Sequence, residues 1–289
     1  SGLPPPGCAR PRPCSRCPGK GRRLGNRLVS NDENAAALEM TLVGGTFRFM
    51  QDAVMALTGS DFGATLDGAP VPLGRTISVK SDMILSLSAT RSGARCYLCV
   101  QGGFAVEHLL GSASTHLLSG LGGFAGRALR SGDVLRIGPK KLPVRQRRTD
   151  SHILHALAPR KELRVTAGPQ TDWFSESAQR AFYESTFRVA ENSNRMGLRL
   201  EGAAVALFPT REIITEGVSL GAIQVPPNGQ PIILFVEQQT TGGYPKIANV
   251  IAADLPSVGQ LRPRDEIRFE RIEFATAHSL LREQESLIQ

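Results

Sequence analysis

The chain lacks any long apolar run. Its most hydrophobic stretches, such as Ile232-Ile233-Leu234-Phe235-Val236, are the length of a strand, far short of the roughly 20 residues that a membrane-crossing helix needs. No membrane role is expected. The N-terminal residues are rich in Pro, Gly and Arg and lack the apolar centre of a signal peptide, so the expected compartment is the cytoplasm. Aromatic residues make up only 6% of the 289 and are not interleaved with basic ones, which removes the stacking platform of a nucleic-acid binder. No phosphate-cradling G-x-x-x-x-G-K-[ST] run and no dinucleotide fingerprint after a strand is present. The histidines (His108, His116, His152, His155 and His278) sit near no motif that would define a Ser-His-Asp arrangement.

Acidic residues are the scarcer sign, leaving a net charge of +8. That excess is local. Arg10, Arg12, Arg16, Lys20, Arg22 and Arg23 stand in an N-terminal stretch without a single acid, and Lys140, Lys141, Arg145, Arg147 and Arg148 cluster in a Pro-flanked segment. A charged tail and a charged linker are ordinarily solvated, and no nucleic-acid partner is expected. Cysteine is sparse too. Cys8, Cys14 and Cys17 have no second knuckle of matching spacing. Cys96 and Cys99 lie three apart in Arg95-Cys96-Tyr97-Leu98-Cys99-Val100, which reads as a buried strand. Residues three apart on a strand face opposite ways and cannot share a metal. No zinc site is expected.

What is present reads as short strands. Ile77 and Val79 alternate with Ser78 and Lys80, Leu85, Leu87 and Ala89 with Ser86 and Ser88, and Ile267 and Phe269 with Arg268 and Glu270. One amphipathic helix stands out, capped by Asp172, with Glu176 in its first turn and Phe174, Ala178, Ala181 and Phe182 on one face. A second covers 275–289. An internal repeat joins Leu129-Arg130-Ser131-Gly132-Asp133-Val134-Leu135-Arg136-Ile137 to Leu261-Arg262-Pro263-Arg264-Asp265-Glu266-Ile267-Arg268-Phe269. Phe47-Arg48-Phe49 echoes Leu163-Arg164-Val165, and Gly122-Gly123-Phe124 echoes Gly242-Gly243-Tyr244. Two related β units follow. The expected organisation is a disordered tail over 1–23, a first half over 24–138, a basic linker over 139–162, a second half over 163–274 and a helical tail over 275–289. A site between the halves would be natural.

Four polar, Gly-rich stretches are candidates for chemistry. The first holds Ser112, Ser114 and Thr115, and the second Asn194, Arg195 and Arg199. The third carries Glu216 and Gln224, and the fourth runs Glu237-Gln238-Gln239-Thr240-Thr241-Gly242-Gly243-Tyr244-Pro245-Lys246. The Gly-Gly pair admits backbone shapes in which consecutive N–H groups aim at one anion, with Lys246 adding charge, although a plain hairpin turn uses the same residues. Arg195 and Arg199 beside the asparagines suit a planar carboxylate or amide, or else pair with Glu191 and Glu201. Glu216 and Glu237 are candidate general bases or orienting groups. The candidate catalytic set is Asn194, Arg195, Glu216, Glu237 and Lys246. The candidate binding set is Ser112, Ser114, Thr115, Arg199, Gln224, Gln239, Thr240, Thr241, Gly242, Gly243 and Tyr244.

Together the phrases GSASTHLLSGLGGFAGRALRSGDVL, GPQTDWF, NSNRMGLRLEG, TEGVSLGAIQVPPNGQPIIL and QTTGGYPKIANVIAADLPSVGQLRPRDEIRF resemble the family of the 5-oxoprolinase C subunit, also described as allophanate hydrolase subunit 2 or biotin-dependent carboxyltransferase-like proteins. The resemblance implies a mostly β protein of two tandem cyclophilin-like β-barrel halves with a few short helices. It also implies two kinds of sister chain: a B-type subunit, like allophanate hydrolase subunit 1, and an A-type lactam-utilisation subunit. The assembly would couple ATP hydrolysis to opening the 5-oxoproline lactam, with ATP used by the complex and not located on this chain. A carboxyltransferase acting on urea or allophanate is the alternative, with biotin on a separate carrier, because the chain lacks a Met-Lys-Met attachment sequence. A non-catalytic regulator that binds the B-type sister is a third. Two departures stand out: Glu237 replaces a frequent Asp, and residues 1–23 lack the family's opening Gln-Asp-x-Gly-Arg-x-Gly and Pro-x-Ser-Gly-Ala-Met-Asp motifs. The composition of 1–23 reads like GC-rich sequence in another frame or a mis-assigned start.

Overall fold

A computed structural model describes residues 8–10, 19–139, 145–156, 158–207 and 213–288. The chain divides into two compact units that meet in sequence at residues 157 and 158.

The first unit opens with strand β1 (Cys8–Arg10) and helix α1 (Lys20–Leu28), followed by β2 (Ala37–Thr41), β3 (Thr46–Arg48), β4 (Ala53–Gly59), β5 (Thr65–Leu66), β6 (Ala69–Pro70), β7 (Ile77–Val79), β8 (Ile84–Ser86) and β9 (Arg95–Val100). A helix, α2 (Ser151–Ala156), closes it. The strands form a five-stranded sheet, β1-β2-β9-β4-β7, and a four-stranded sheet, β3-β8-β5-β6. Strand alternation sorts side chains between two cores. Leu38, Met55, Leu57, Cys96 and Leu98 join Leu66 and Leu85 of the smaller sheet and Phe49, which follows β3. Ala56 and Cys99 turn the other way, onto Leu24 and Leu28 of α1. The two thiols are free, buried and on opposite faces of β9, as the three-residue spacing requires. Helix α1 sits close to the sheet because Gly25 has no side chain: a Cβ there would stand 2.6 Å from the Cys99 Sγ.

The expected start of this unit at residue 24 is corrected. Helix α1 begins at Lys20 and buries Lys20, Arg22 and Arg23, with the Arg23 Nε donating to the Glu33 carboxylate at 2.9 Å. The tail expected over 1–23 also contains β1, which pairs antiparallel with β2 in the register Cys8↔Glu39 to Arg10↔Ala37. The rest of that tail, residues 1–7 and 11–18, lies outside the described residues, as do 140–144 of the basic linker. The remainder of the linker is not featureless either, since α2 falls within it and the next strand starts at Glu162.

The second unit contains β10 (Glu162–Ala167), a 3-10 turn (Thr171–Trp173), α3 (Glu176–Glu184), β11 (Phe187–Val189), β12 (Gly197–Glu201), β13 (Glu216–Gly217), β14 (Ala222–Gln224), β15 (Ile232–Leu234), β16 (Thr241–Gly242), β17 (Lys246–Val250), α4 (Leu255–Val258), β18 (Glu266–Arg271) and α5 (Phe274–Ile288). Seven strands close into a barrel in the order β10-β17-β14-β15-β12-β11-β18, sealed by parallel pairing of β10 with β18. Closure leaves no sheet edge. The barrel is the half that closes; the described strands of the first unit remain two sheets. Inward residues Leu163, Val165, Leu198, Leu200, Ile223, Ile233, Ile267 and Phe269 form its core. Helix α3 packs against β18, with Phe182 stacked on Phe269 at 4.5 Å between ring centres. The cap of α3 is Ser175, whose hydroxyl accepts from the Ala178 N–H, and not Asp172. Asp172 belongs to the preceding 3-10 turn, and Phe174, extended at φ −111° and ψ 134°, separates the two. Asp254 receives the Arg164 Nε at 3.0 Å and the Arg164 backbone N–H at 2.8 Å, fixing β10 to the start of α4.

The L-R-x-x-D repeat is a repeat of structure. In both units the aspartate accepts from the arginine N–H three residues back, at 2.7 Å for Asp133 and 2.8 Å for Asp265. Each aspartate N–H returns a bond to that arginine's carbonyl at 3.1 Å. The residue before the aspartate is left-handed in both, Gly132 at φ 89° and Arg264 at φ 72°. The Gly-Gly echo is not structural: Gly122 and Gly123 are left-handed at φ 66° and 57°, whereas Gly242 and Gly243 are not.

Candidate functional site

The barrel strand β17 begins at Lys246, a buried lysine that is 4% exposed. Its ammonium is ion-paired with the carboxylate of Glu216, whose side chain is 43% exposed. Glu216 lies on β13, which pairs with β16 in a two-stranded ribbon separate from the barrel, Glu216 opposite Gly242. A third residue completes the group. The Gln170 Nε2 donates to the same Glu216 oxygen at 2.7 Å, while its Oε1 accepts from the Lys246 backbone N–H at 3.1 Å. Bonding to Lys246 and then to Gln170 pulls the Glu216 carboxyl below its usual pKa, so it is ionised at neutral pH. It is therefore an acceptor, and too weak a base to draw a proton from a neutral nucleophile.

The backbone here is tightly placed. Gly168 donates to the Ile247 carbonyl at 2.9 Å, and a Cβ on it would meet the Lys246 carbonyl oxygen at 2.2 Å. The Thr171 Oγ1 donates to the Ile247 carbonyl at 2.7 Å. The turn 168–171 thus clamps the first residues of β17 and sets where Lys246 emerges.

The Thr240–Gly243 stretch does not cradle an anion with its backbone. Thr241 and Gly242 are a strand, and neither glycine has the left-handed φ that the alternating handedness of a backbone anion nest calls for. Gly242 is required for another reason. A Cβ there would lie 2.6 Å from the Nε2 of buried Gln224 and 3.1 Å from the Nε2 of Gln239. Two side-chain amides therefore close on the Gly242 backbone beside Glu216. The Gln224 Nε2 is directed at the Tyr244 carbonyl at 3.3 Å, while Gln239, Thr240, Thr241, Gly243 and Tyr244 are exposed.

Arg195 and Glu237 form a second ion pair at 2.7 Å, with side chains 17% and 12% exposed. It joins the residues just before β12 to those just after β15, alongside a backbone bond from the Glu237 N–H to the Arg195 carbonyl at 2.9 Å. Residues 237–242 run on from this pair to the Glu216 ribbon, where the Val218 N–H donates to the Thr240 carbonyl at 3.0 Å. The Arg195 and Thr240 loops are thereby tied to one chain segment. Asn194 closes its own turn, its Oδ1 accepting from Met196 and Gly197. Arg199 is exposed on β12, between the buried Leu198 and Leu200. The acids offered as surface partners are engaged elsewhere, Glu191 by Arg264 and Glu201 by Arg188.

Ser112, Ser114 and Thr115 belong to the first unit. The Ser112 Oγ accepts from the Ser114 N–H at 3.2 Å, and the buried Thr115 Oγ1 from the Phe124 N–H at 3.2 Å. Thr115 is 1% exposed and holds its own loop. Gln170 is absent from the residues that sequence singles out. It stands in the phrase GPQTDWF, where Gly168 two positions earlier marks a close backbone approach. Among the described residues, no group of three or more His, Cys, Asp or Glu is placed to hold a metal, and no helix is long and apolar enough to cross a membrane.

A closed barrel carrying a buried lysine, a half-exposed carboxylate paired with it and flanking glutamine amides defines a β-barrel protein with a compact polar cluster in one unit. The chain belongs to the carboxyltransferase domain family, subdomains A and B, matching it over residues 20–271. It is 37% identical over 269 residues to the 5-oxoprolinase C subunit of Haemophilus influenzae, covering 91% of this chain and 84% of that protein. The corresponding Escherichia coli protein is 40% identical over 247 residues, covering 86% and 78%. The urea amidolyase of K. lactis shares the fold with a TM-score of 0.87 at 30% identity. That match covers 98% of this chain and 19% of that much longer one.

Proposed function

We propose that the chain is the C-type subunit of an ATP-dependent 5-oxoprolinase, working with its sister subunits to open the lactam of 5-oxoproline to glutamate. Likeness to two 5-oxoprolinase C subunits over most of both lengths supports the reading. The observation that carries it is an ionised, half-exposed Glu216 set opposite Gly242, whose backbone the exposed Gln239 amide also approaches. A lactam presents an N–H donor and a C=O acceptor on the same side of one bond. Glu216 suits the first and the Gln239 amide the second. Buried Lys246 keeps Glu216 charged. Arg195 and Glu237 fix the chain segment that carries Gln239.

ATP enters the reading through the assembly. Lys246, the buried lysine of this unit, is committed to Glu216, so the cluster does not fit a triphosphate and no step through ATP is assigned to this chain. The urea amidolyase likeness favours a second reading, carboxyl transfer to urea or a related amide from biotin on a separate carrier. Urea is also an amide with paired N–H and C=O groups, so the same cluster serves.

Reconstitution with candidate sister subunits, ATP and 5-oxoproline separates the two. Glutamate release that needs this chain supports the first, and release that proceeds equally without it refutes it. Turnover of urea that needs a biotinylated carrier supports the second. Glu216→Gln keeps shape and removes charge, and a fall in kcat/KM on the order of a hundredfold is expected from losing a charged partner of the substrate.

A further inference from the structure

We propose that Gln170 is a positioning residue, holding Glu216 so that one carboxylate oxygen is occupied and the other faces the substrate. The inference rests on the reading of Glu216 as the group that meets the amide N–H. Glu216 sits on a two-stranded ribbon outside the barrel's hydrogen-bond ladder, so its strand alone does not fix it against β17. Two donors reach it from the second unit's barrel side, the Lys246 ammonium and the Gln170 amide, and both take the same atom, Oε1. No bond among the described residues falls on Oε2. A single ammonium contact would let the carboxylate swing about it, whereas a second donor at a fixed angle stops the rotation.

Gln170 can do this because it is itself fixed at both ends. Its backbone N–H donates to the Lys246 carbonyl at 3.3 Å, and its Oε1 accepts from the Lys246 N–H at 3.1 Å. The residue is 8% exposed. A side-chain amide presents a donor to a carboxylate and an acceptor to a backbone N–H at once, from two separate atoms at the end of one side chain. Glutamate at this position would satisfy Lys246 and repel Glu216. Methionine would fill the volume and satisfy neither.

The test compares Gln170→Glu, Gln170→Met and Glu216→Gln in the reconstituted complex, with kcat, KM, the pH profile and the melting temperature measured for each. The charges acting on Glu216 are those of Lys246 on β17 and, in Gln170→Glu, the new carboxylate on the 168–171 turn. In Gln170→Glu two carboxyls share one lysine, so one of them titrates higher. The expected result is kcat/KM lowered on the order of tenfold at neutral pH, partly recovered at lower pH where the extra carboxyl protonates and donates in place of the amide. Gln170→Met is expected to lose a similar factor at every pH. Parent-like kinetics in both Gln170 variants while Glu216→Gln is impaired overturns the positioning role and leaves the site reading intact. A fully active Glu216→Gln overturns the site reading itself. If Gln170→Glu fails to fold, Gln170→Met decides alone, and a parent-like kcat/KM there refutes the proposal.

Discussion

At the scale of single residues, burial decides chemistry that composition leaves open. Cys96 and Cys99 are both pushed up to about 12, chiefly by burial. A thiol needs its deprotonated form to react or to bind a metal. Neither cysteine is therefore expected to be alkylated by iodoacetamide at pH 8 in the folded protein, and both are expected to be labelled in denaturant. Peptide mapping by mass spectrometry checks this, and rapid native labelling of either would show that the sheet opens. The same logic separates the two hydroxyl-rich stretches. Thr115 has its hydroxyl spent on Phe124, while Thr240 and Thr241 stay exposed. In sequence such residues look alike, because a hydroxyl's partner depends on a fold that residue type does not encode.

At the scale of elements, the repeated turn shows how one hydrogen-bond pattern tolerates two sequences. A left-handed residue in the third position is what a type II turn requires, and glycine takes it at little cost. Gly132 fits that rule, while Arg264 carries a strain of roughly 1 kcal/mol. Its exposed ion pair with Glu191 at 2.6 Å returns at most about that much. Arg264→Gly is expected to leave stability unchanged or raise it by up to about 1 kcal/mol, and Gly132→Ala to lower it by about 1 kcal/mol. Urea denaturation reads both, and a clear loss in Arg264→Gly would assign the turn's stability to the ion pair instead.

That turn is legible in the sequence because its determinants are local, an aspartate and the arginine three residues before it. Strand alternation is legible for the same reason, as Ile267 and Phe269 bury while Arg268 does not. The Gly242-Gly243 pair looks like a flexible cradle in sequence because its true reason is distant: the Gln224 amide arrives from β14 across the chain. The cap at Ser175 is displaced from Asp172 by one 3-10 turn, a local detail hidden by two closely spaced acceptors.

At the scale of the whole molecule, acid should weaken each unit through a named carboxylate. In the first unit Asp133 is held down to about 2, first by the Arg127 guanidinium bonded at 2.7 Å and then by the Arg130 N–H. In the second, Glu216 is lowered by Lys246 and Gln170. A carboxyl with a depressed folded pKa adds stability that is complete above its unfolded pKa and disappears as pH falls through the folded value. For Asp133 that window runs from the usual 3.8 down to about 2. Melting temperature followed from pH 6 to pH 2 should therefore drop, most steeply below pH 4. Asp133→Asn should start lower and fall less across that window, because the charge whose loss drives the drop is already gone. Parallel curves for parent and variant would mean that the Arg127–Asp133 contact is too solvated to matter, and that the turn is held by its own local hydrogen bonds.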